Sequence, residues 1–262
     1  MTRRRRPVRY WPAQPGPIDP SELCGPKGLI PDVMVEQEAT PAEPDREDAF
    51  WLSLLSESRR ARIDSVVAAR LGSITCVLDK LYDPHNVAAV LRTAEGLGLL
   101  SLHVVPNDEA DAIAHRRVTQ DADKWIDVVP HASGAQAAQV LAAKGYSVYA
   151  GHLDNRAVLL DELPVGKPLA LLFGHEHEGP SGETLAACAG TFKIPMAGFT
   201  QSFNVSVAAA IALAYVTRER RKLLGAAGDL PEADRRALRS RFYRLAAKLS
   251  RRVPNAPELA RK

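Results

Sequence analysis

The sequence predicts an α/β protein: a parallel sheet with helices on both faces, flanked by amino- and carboxyl-terminal helical extensions. Three observations predict it. Short apolar runs at Ile74 to Asp79 (ITCVLD), Leu102 to Val105 and Leu169 to Phe173 have the length and continuity of buried strands. Between the first two lies an amphipathic segment, YDPHNVAAVLRTAEGLG, so strand, helix and strand follow one another as a βαβ unit, which places the strands parallel. The third run stops at Gly174 and leads into a polar loop closed by Gly179 and Pro180, the behaviour of a buried strand delivering a loop at its carboxyl end.

Taken in order, residues 1–47 are rich in Pro, Arg and acidic residues with little periodicity, and read as a partly extended arm that includes the Arg3–Arg6 cluster. Residues 48–72 form a helical pattern in which Phe50, Leu54, Leu55, Ile63, Val66 and Val67 recur at helical spacing and Gly72 closes the segment. Arg59, Arg60, Arg62 and Arg70 occupy its other faces, suited equally to phosphate contact and to solvation.

Residues 73–216 hold the sheet. After Asp79, Asp83 or Asn86 can cap a helix with Pro84 in its first turn, and Gly96 and Gly98 end it. An apolar run from Trp125 to Val129, a helix from about Gly134 to Lys144 and a strand from Tyr146 to Ala150 continue the alternation. A second strand-end loop follows Phe192 to Met196, and its polar segment (Thr200, Gln201, Ser202, Asn204, Ser206) leads into a long helix from Val205 to about Leu224. Residues 217–262 add a last helix beginning at Pro231, whose face carries Arg235, Arg236, Arg239, Arg244 and Lys248.

At 262 residues the chain suits one sizeable core with appendages. It has no apolar run near the ~18 residues needed to span a bilayer and no apolar segment after its first arginines. The expectation is a cytoplasmic protein without a membrane partner. Cys24, Cys76 and Cys188 are odd in number and far apart, which gives neither a disulfide framework nor a metal pair. The net charge of +3 is unevenly spread: residues 73–216 carry 9 Lys/Arg against 15 Asp/Glu, whereas residues 217–262 carry 14 against 5. A basic tail on an acidic domain points to a polyanion such as RNA or DNA.

Several chemistries are absent. There is no GxxxxGK[ST] phosphate loop and no GxSxG elbow. Gly96-Leu97-Gly98 precedes a strand and lacks a third glycine, so it is no dinucleotide fingerprint. His175-Glu176-His177 has the wrong spacing for two zinc ligands on one helical turn.

What remains is a set of polar and small residues at strand ends: Asn86 and Arg92 on the first crossover helix, Gly174, Glu176 and Gly179 in one loop, and Ile194, Met196, Ser202, Asn204 and Ser206 in the next. The segments PHNVAAVLRTAEGLG, LLFGHEHEG and KIPMAGFTQSFNVSVAAA closely resemble, in order, the three signature motifs of the SpoU branch of the SPOUT RNA 2′-O-ribose methyltransferases. The likeness covers about Ser56 to Pro257 and is most detailed to the members that methylate a D-loop guanosine of tRNA. Leu81-Tyr82-Asp83 stands where the family often has a His-Lys type sequence, and the amino-terminal arm lies outside the likeness.

The resemblance implies a deep trefoil knot in the carboxyl-terminal part of the sheet, S-adenosyl-L-methionine as cofactor, a homodimer, and RNA, most closely tRNA, as substrate, with no metal. It places Gly151, Gly174, Ile194, Met196 and Phe203 at the cofactor, Arg92 as the catalytic arginine, and Asn86, Glu176, Ser202 and Asn204 as the polar residues around it. Arg218 and Arg220 match positions near the RNA, where Arg59 and Arg60 could join them. The same motifs serve methylation of ribosomal RNA or of a tRNA wobble ribose, and an RNA-binding protein without catalysis would also retain them. From the residues alone, Arg92 also reads as an ion-pair partner of Glu95, Asn86 as a helix cap, and Ser202 and Asn204 as caps of the next helix.

Overall fold

The computed structural model describes residues 46–107 and 124–249. The arm up to residue 45, with Arg3–Arg6 and Cys24, and the segment from residue 250 onward lie outside the described residues.

Among the described residues, seven parallel strands form one sheet: β1 (Ile74–Asp79), β2 (Ser101–Val105), β3 (Asp127–Pro130), β4 (Ser147–Gly151), β5 (Val158–Leu159), β6 (Leu169–Phe173) and β7 (Gly190–Lys193). Their order across the sheet is β3-β2-β1-β6-β4-β7-β5. The chain walks outward from β1 to β3, crosses to β4, and later returns to lay β6 between β1 and β4. β1 and β6, every residue of which is buried, are therefore the sheet's centre, with Leu78 paired to Phe173. Loops that follow these two strands emerge side by side at the point where the strand order reverses, which is where open α/β sheets bind ligands.

Helices cover both faces, as the alternation of apolar runs predicts. Among the described residues the helices are α1 (Arg46–Ser53), α2 (Glu57–Ala68), α3 (Pro84–Gly96), α4 (Gly134–Ala143), α5 (Gly182–Ala187), α6 (Val205–Leu224) and α7 (Glu232–Leu249). Ile74, Cys76 and Leu78 of β1, with Leu169, Leu171 and Phe173 of β6, meet Val87, Val90 and Leu91 of α3 and Ala209, Ala212 and Leu213 of α6. The intervening Val77, Ala170 and Leu172 point the opposite way, onto Ala137, Ala138 and Leu141 of α4. This period-two division places one core on each side of the sheet. Cys76 is buried in the first of them.

The two helical extensions form one layer. Trp51, Leu55, Ile63 and Val67 pack against Phe242, Tyr243, Ala246 and Ala247 of α7, so the ends of the described chain share a third core. The helical pattern expected from Asp48 to Gly72 is two helices, because the Ser56 hydroxyl accepts from the Arg59 amide (3.4 Å) and starts α2 afresh. The strand expected at Trp125 to Val129 is shifted to Asp127–Pro130. Trp125 instead stands edge-on to Phe242 in the helical core, at 5.1 Å between ring centres, and Ile126 is buried in the sheet core.

Two buried arginines join the helical layer to the sheet domain. Arg70, 1% exposed, donates to the carbonyls of Leu99 (2.8 Å) and Trp125 (3.1 Å), pairs with Glu95 (2.9 Å) and lies 5.6 Å from the centre of the Phe242 ring. Arg221 donates to the carbonyls of Ala69, Leu97 and Ala227. Ala69 and Leu97 are the carboxyl-terminal caps of α2 and α3, whose last carbonyls have no partner inside their own helices, so these guanidinium groups satisfy them and oppose the helix dipoles. Asp229 completes the junction by accepting from the Gly72 amide (2.6 Å) and the Ser73 hydroxyl.

Removing Arg70 leaves Glu95 and several carbonyls without this partner in a low-dielectric setting. Arg70→Ala is expected to lower the unfolding free energy by about 3–5 kcal/mol, read as a fall in urea midpoint. A change below about 1 kcal/mol would contradict this role.

Candidate functional site

The three resembling segments converge at the carboxyl edge of the sheet. Asp83 is the residue that caps α3, its side chain accepting from the His85 amide (2.8 Å), with Pro84 in the first turn. Asn86 is thereby released from capping. It is buried, its Nδ2 donates to Glu176 Oε1 (2.9 Å), and its Oδ1 accepts from Asn204 Nδ2 (3.2 Å). Glu176 also accepts from the amides of Tyr82 (2.8 Å) and Asp83 (3.4 Å). Asn204 caps α6, accepting from the Ser206 amide (2.9 Å) and hydroxyl (2.6 Å). One residue from each segment is thus linked in a single chain, Glu176 to Asn86 to Asn204.

The loop that presents Glu176 is tightly closed. The Gly179 amide donates to the His175 carbonyl (2.8 Å), and Gly179 has a φ of 69°, the left-handed region glycine favours. A Cβ on Gly174 would come within 2.3 Å of the Pro180 nitrogen, a backbone atom that cannot yield, so this position accepts glycine alone. The two histidines flanking Glu176 sit with ring centres 5.8 Å apart, and the His177 amide donates to His175 Nδ1 (3.2 Å).

Burial alone would raise the Glu176 carboxyl, but the Tyr82 amide, the Asn86 side chain and the Asp83 amide together hold it below its ordinary value. At neutral pH it is a carboxylate serving as an acceptor. Asp79, at the end of β1, goes the other way. Burial raises its carboxyl, opposed by the Thr184 hydroxyl (3.0 Å) and the Gly134 amide. Gly134 opens α4 there, and a Cβ on it would stand 2.1 Å from Asp79 Oδ2. Motif reading missed Asp79, whose signal was an acid ending an otherwise apolar strand.

Gly151, Gly174 and Ile194 follow or close β4, β6 and β7, which are neighbours in the order β6-β4-β7. Their backbone groups line contiguous strand ends. Gly174 is buried, while Ile194 and Met196 are half-buried, Ile194 packing on the sheet core. Phe203 is 38% exposed and Ser202 is exposed in the last loop. Arg92 is exposed on α3, six residues beyond Asn86 and so about 9 Å along the helix, outside the hydrogen-bonded chain. Glu95, which the sequence offered as a partner for Arg92, accepts from the buried Arg70.

The basic residues separate into two groups. Arg59 and Arg218 are exposed, with Arg218 Nε on Glu219 (3.0 Å) and its guanidinium 5.7 Å from the Tyr215 ring centre. Arg60 Nε donates to the Leu55 carbonyl (3.1 Å). Arg220 turns inward, donating to the Ser73 hydroxyl (2.9 Å) and the Val165 carbonyl (3.1 Å). On α7, Arg235 pairs with Glu232 and Arg239 with Asp64, so the basic face expected there is partly neutralised.

The SpoU rRNA Methylase family model matches residues 73–214. A tRNA (guanosine(18)-2′-O)-methyltransferase of Thermus thermophilus is 38% identical over 167 residues, 64% of this chain and 86% of the relative. Among solved structures, the A. aeolicus TrmH/SpoU tRNA modifying enzyme aligns with a TM-score of 0.65 at 26% identity, over 72% of this chain and 97% of that one. An AdoMet-bound rRNA methyltransferase from Sinorhizobium meliloti aligns with a TM-score of 0.51 at 25% identity, over 60% of this chain and 59% of that one.

The depressed Glu176 value carries a sign. Ionised Glu176 stabilises the fold above its ordinary value of 4.5, and that contribution is lost as the pH falls through the lower folded-state value. Glu176→Gln is therefore expected to be less stable than wild type at pH 7, with the gap narrowing below pH 4.5. Urea unfolding across this range checks it, and a gap unchanged down to pH 3 would contradict it.

Proposed function

The chain belongs to the SpoU methylase family, and from that premise we propose that it transfers a methyl group from S-adenosyl-L-methionine to a ribose 2′-hydroxyl of RNA, its target being the D-loop guanosine of tRNA. The observation that carries this reading is the chain of hydrogen bonds from Glu176 through Asn86 to Asn204, which brings one residue of each segment to a single edge of the sheet. The Thermus relative supports tRNA and the guanosine that its name specifies.

The residues present fit the cofactor. Gly151, Gly174 and Ile194 offer backbone groups at three adjacent strand ends, Ile194 and Met196 add half-buried apolar surface, and Phe203 stands at the opening of α6. When bound, the cofactor supplies a methyl group on a positively charged sulfur, already a strong electrophile. The protein's task is then to orient and activate the hydroxyl. Asn86, Glu176 and Asn204 hold the loops that frame the hydroxyl, and Ser202 faces solvent in the last of them.

Arg92 supplies positive charge. A guanidinium stays protonated at any working pH, so it acts by clamping phosphate and hydroxyl and stabilising the developing alkoxide, with the phosphate as proton acceptor. Exposed Arg59 and Arg218 contact the RNA backbone. We leave Arg220 out of that surface because its guanidinium donates internally.

Two features of the assembly belong to the same reading. Laying β6 between β1 and β4, both formed earlier in the chain, suits a deep trefoil knot in the segment that follows, one of the exceptions to the rule against threading. Phe203, Val207 and Ile211, exposed by 38%, 45% and 37%, recur every four residues into α6 and form an apolar stripe suited to a second copy of the chain. The setting is the cytoplasm, where tRNA is available.

Labelled methyl transfer to total tRNA and to ribosomal RNA, with nuclease mapping of the product, tests the reading. Label confined to ribosomal RNA or to a wobble ribose would replace the substrate, and no label in any RNA would end the enzymatic assignment. Activity is expected to fall steeply with added salt as phosphate contacts release counterions. Arg92→Ala should lower kcat on the order of 10²–10³-fold, the scale of losing one electrostatic stabiliser, with cofactor affinity nearly unchanged. Ile211→Asp should shift the protein to monomers in sedimentation velocity, and a dimer of unchanged strength would place the interface elsewhere.

A further inference from the structure

The four residues that lead from β1 into α3, Lys80 to Asp83, are held in an unusual way. Lys80 adopts a φ of 56°, the left-handed region that a lysine enters at a cost, and its amide donates to the Val105 carbonyl (2.9 Å). Leu81 is buried, and its carbonyl accepts from Asn107 Nδ2 (3.0 Å). Asp83 caps α3. Between these anchored neighbours the Tyr82 amide is fixed on the Glu176 carboxylate, yet its side chain is 70% exposed. The ring stands edge-on to His175, with centres 6.1 Å apart, and His175 is followed by the His177 ring at 5.8 Å.

A large aromatic ring left in water on a backbone pinned from both sides is a pre-organised surface. Its amide hydrogen-bonds the same carboxylate that holds Asn86, so its position is coupled to the site and not to a distant part of the surface. Bases of RNA that are not stacked within a helix are recognised by stacking on tyrosine and histidine rings, whose flat faces accept any base without demanding a particular edge. We propose that Tyr82, steadied by His175, is a stacking platform for an unstacked nucleobase next to the ribose being methylated. The inference rests on the RNA reading of the site given above. Tyr82 is on this account a positioning residue for the substrate: it touches the base and has no part in proton or methyl transfer.

The test is steady-state methylation of an unmodified tRNA transcript by wild type, Tyr82→Ala and Tyr82→Phe. Loss of one stacked base predicts a roughly 5- to 150-fold fall in kcat/KM for RNA in Tyr82→Ala, carried mainly by KM, with Tyr82→Phe within about twofold of wild type. The ratio of wild type to Tyr82→Ala should stay constant as salt rises, because stacking releases no counterions. Cofactor affinity, thermal midpoint and sedimentation behaviour should be unchanged. Equal activity in Tyr82→Ala and wild type overturns the proposal, as does a Phe variant as impaired as the Ala variant, which would assign the effect to the hydroxyl. A Tyr82→Ala protein of altered oligomeric state would move the ring to a subunit contact and overturn it too. Wild type that binds the transcript without methylating it, with the same Ala and Phe pattern in affinity, would sustain the platform while ending the enzymatic reading. Wild type that neither binds nor methylates RNA overturns both.

Discussion

Glu176, Asn86 and Asn204 are 90 and 118 residues apart along their two links, and the hydrogen bonds between them constrain everything else at this edge of the sheet. A buried asparagine side chain carries donors and an acceptor that cannot be left unmatched. Asn86 can satisfy its Nδ2 only if the loop after β6 lies beside the helix after β1. It can satisfy its Oδ1 only if the start of α6 lies on its other side. The strand order, with β6 placed against β1, is what makes both conditions possible at once. In turn, Gly174 and Gly179 permit the loop to close tightly enough for Glu176 to reach back to the amide of Tyr82.

Two carboxylates at this edge show how environment separates residues of one chemical class. Asp79 and Glu176 both follow from central strands and both lose water. Asp79 is raised because burial outweighs one hydroxyl and one amide donor, while Glu176 is lowered because several donors outweigh a milder burial. The first ties α4 and α5 to the end of β1, and the second ties the candidate site together. They stand at the ends of neighbouring strands, Asp79 closing β1 and Glu176 in the loop after β6.

Arginine shows a similar division. Arg70 and Arg221 are buried and close the carboxyl ends of helices, whereas Arg59, Arg92 and Arg218 face solvent. The charge of the carboxyl-terminal segment therefore overstates what reaches an RNA. Arg220 and Arg221 are engaged inside the protein, and Arg218, Arg235 and Arg239 are paired with acids. A count of charges along the chain sees sign, while a partner sees only the groups whose fields are not already cancelled.

The sequence by itself determined the parallel sheet, because continuous apolar strands alternating with amphipathic helices have few other ways to bury both faces. It also marked the three segments that meet at the candidate site, through their turn and cap residues and their resemblance to the motifs of one family. Asp83 rather than Asn86 as the cap of α3, the division at Ser56, and the inward turn of Arg220 were decided by tertiary structure alone. So was the joining of the terminal helices into one layer around Phe242. Each of these depends on a partner far along the chain. Local pattern records which groups need burial or a hydrogen bond, and only the folded arrangement decides which distant group meets that need.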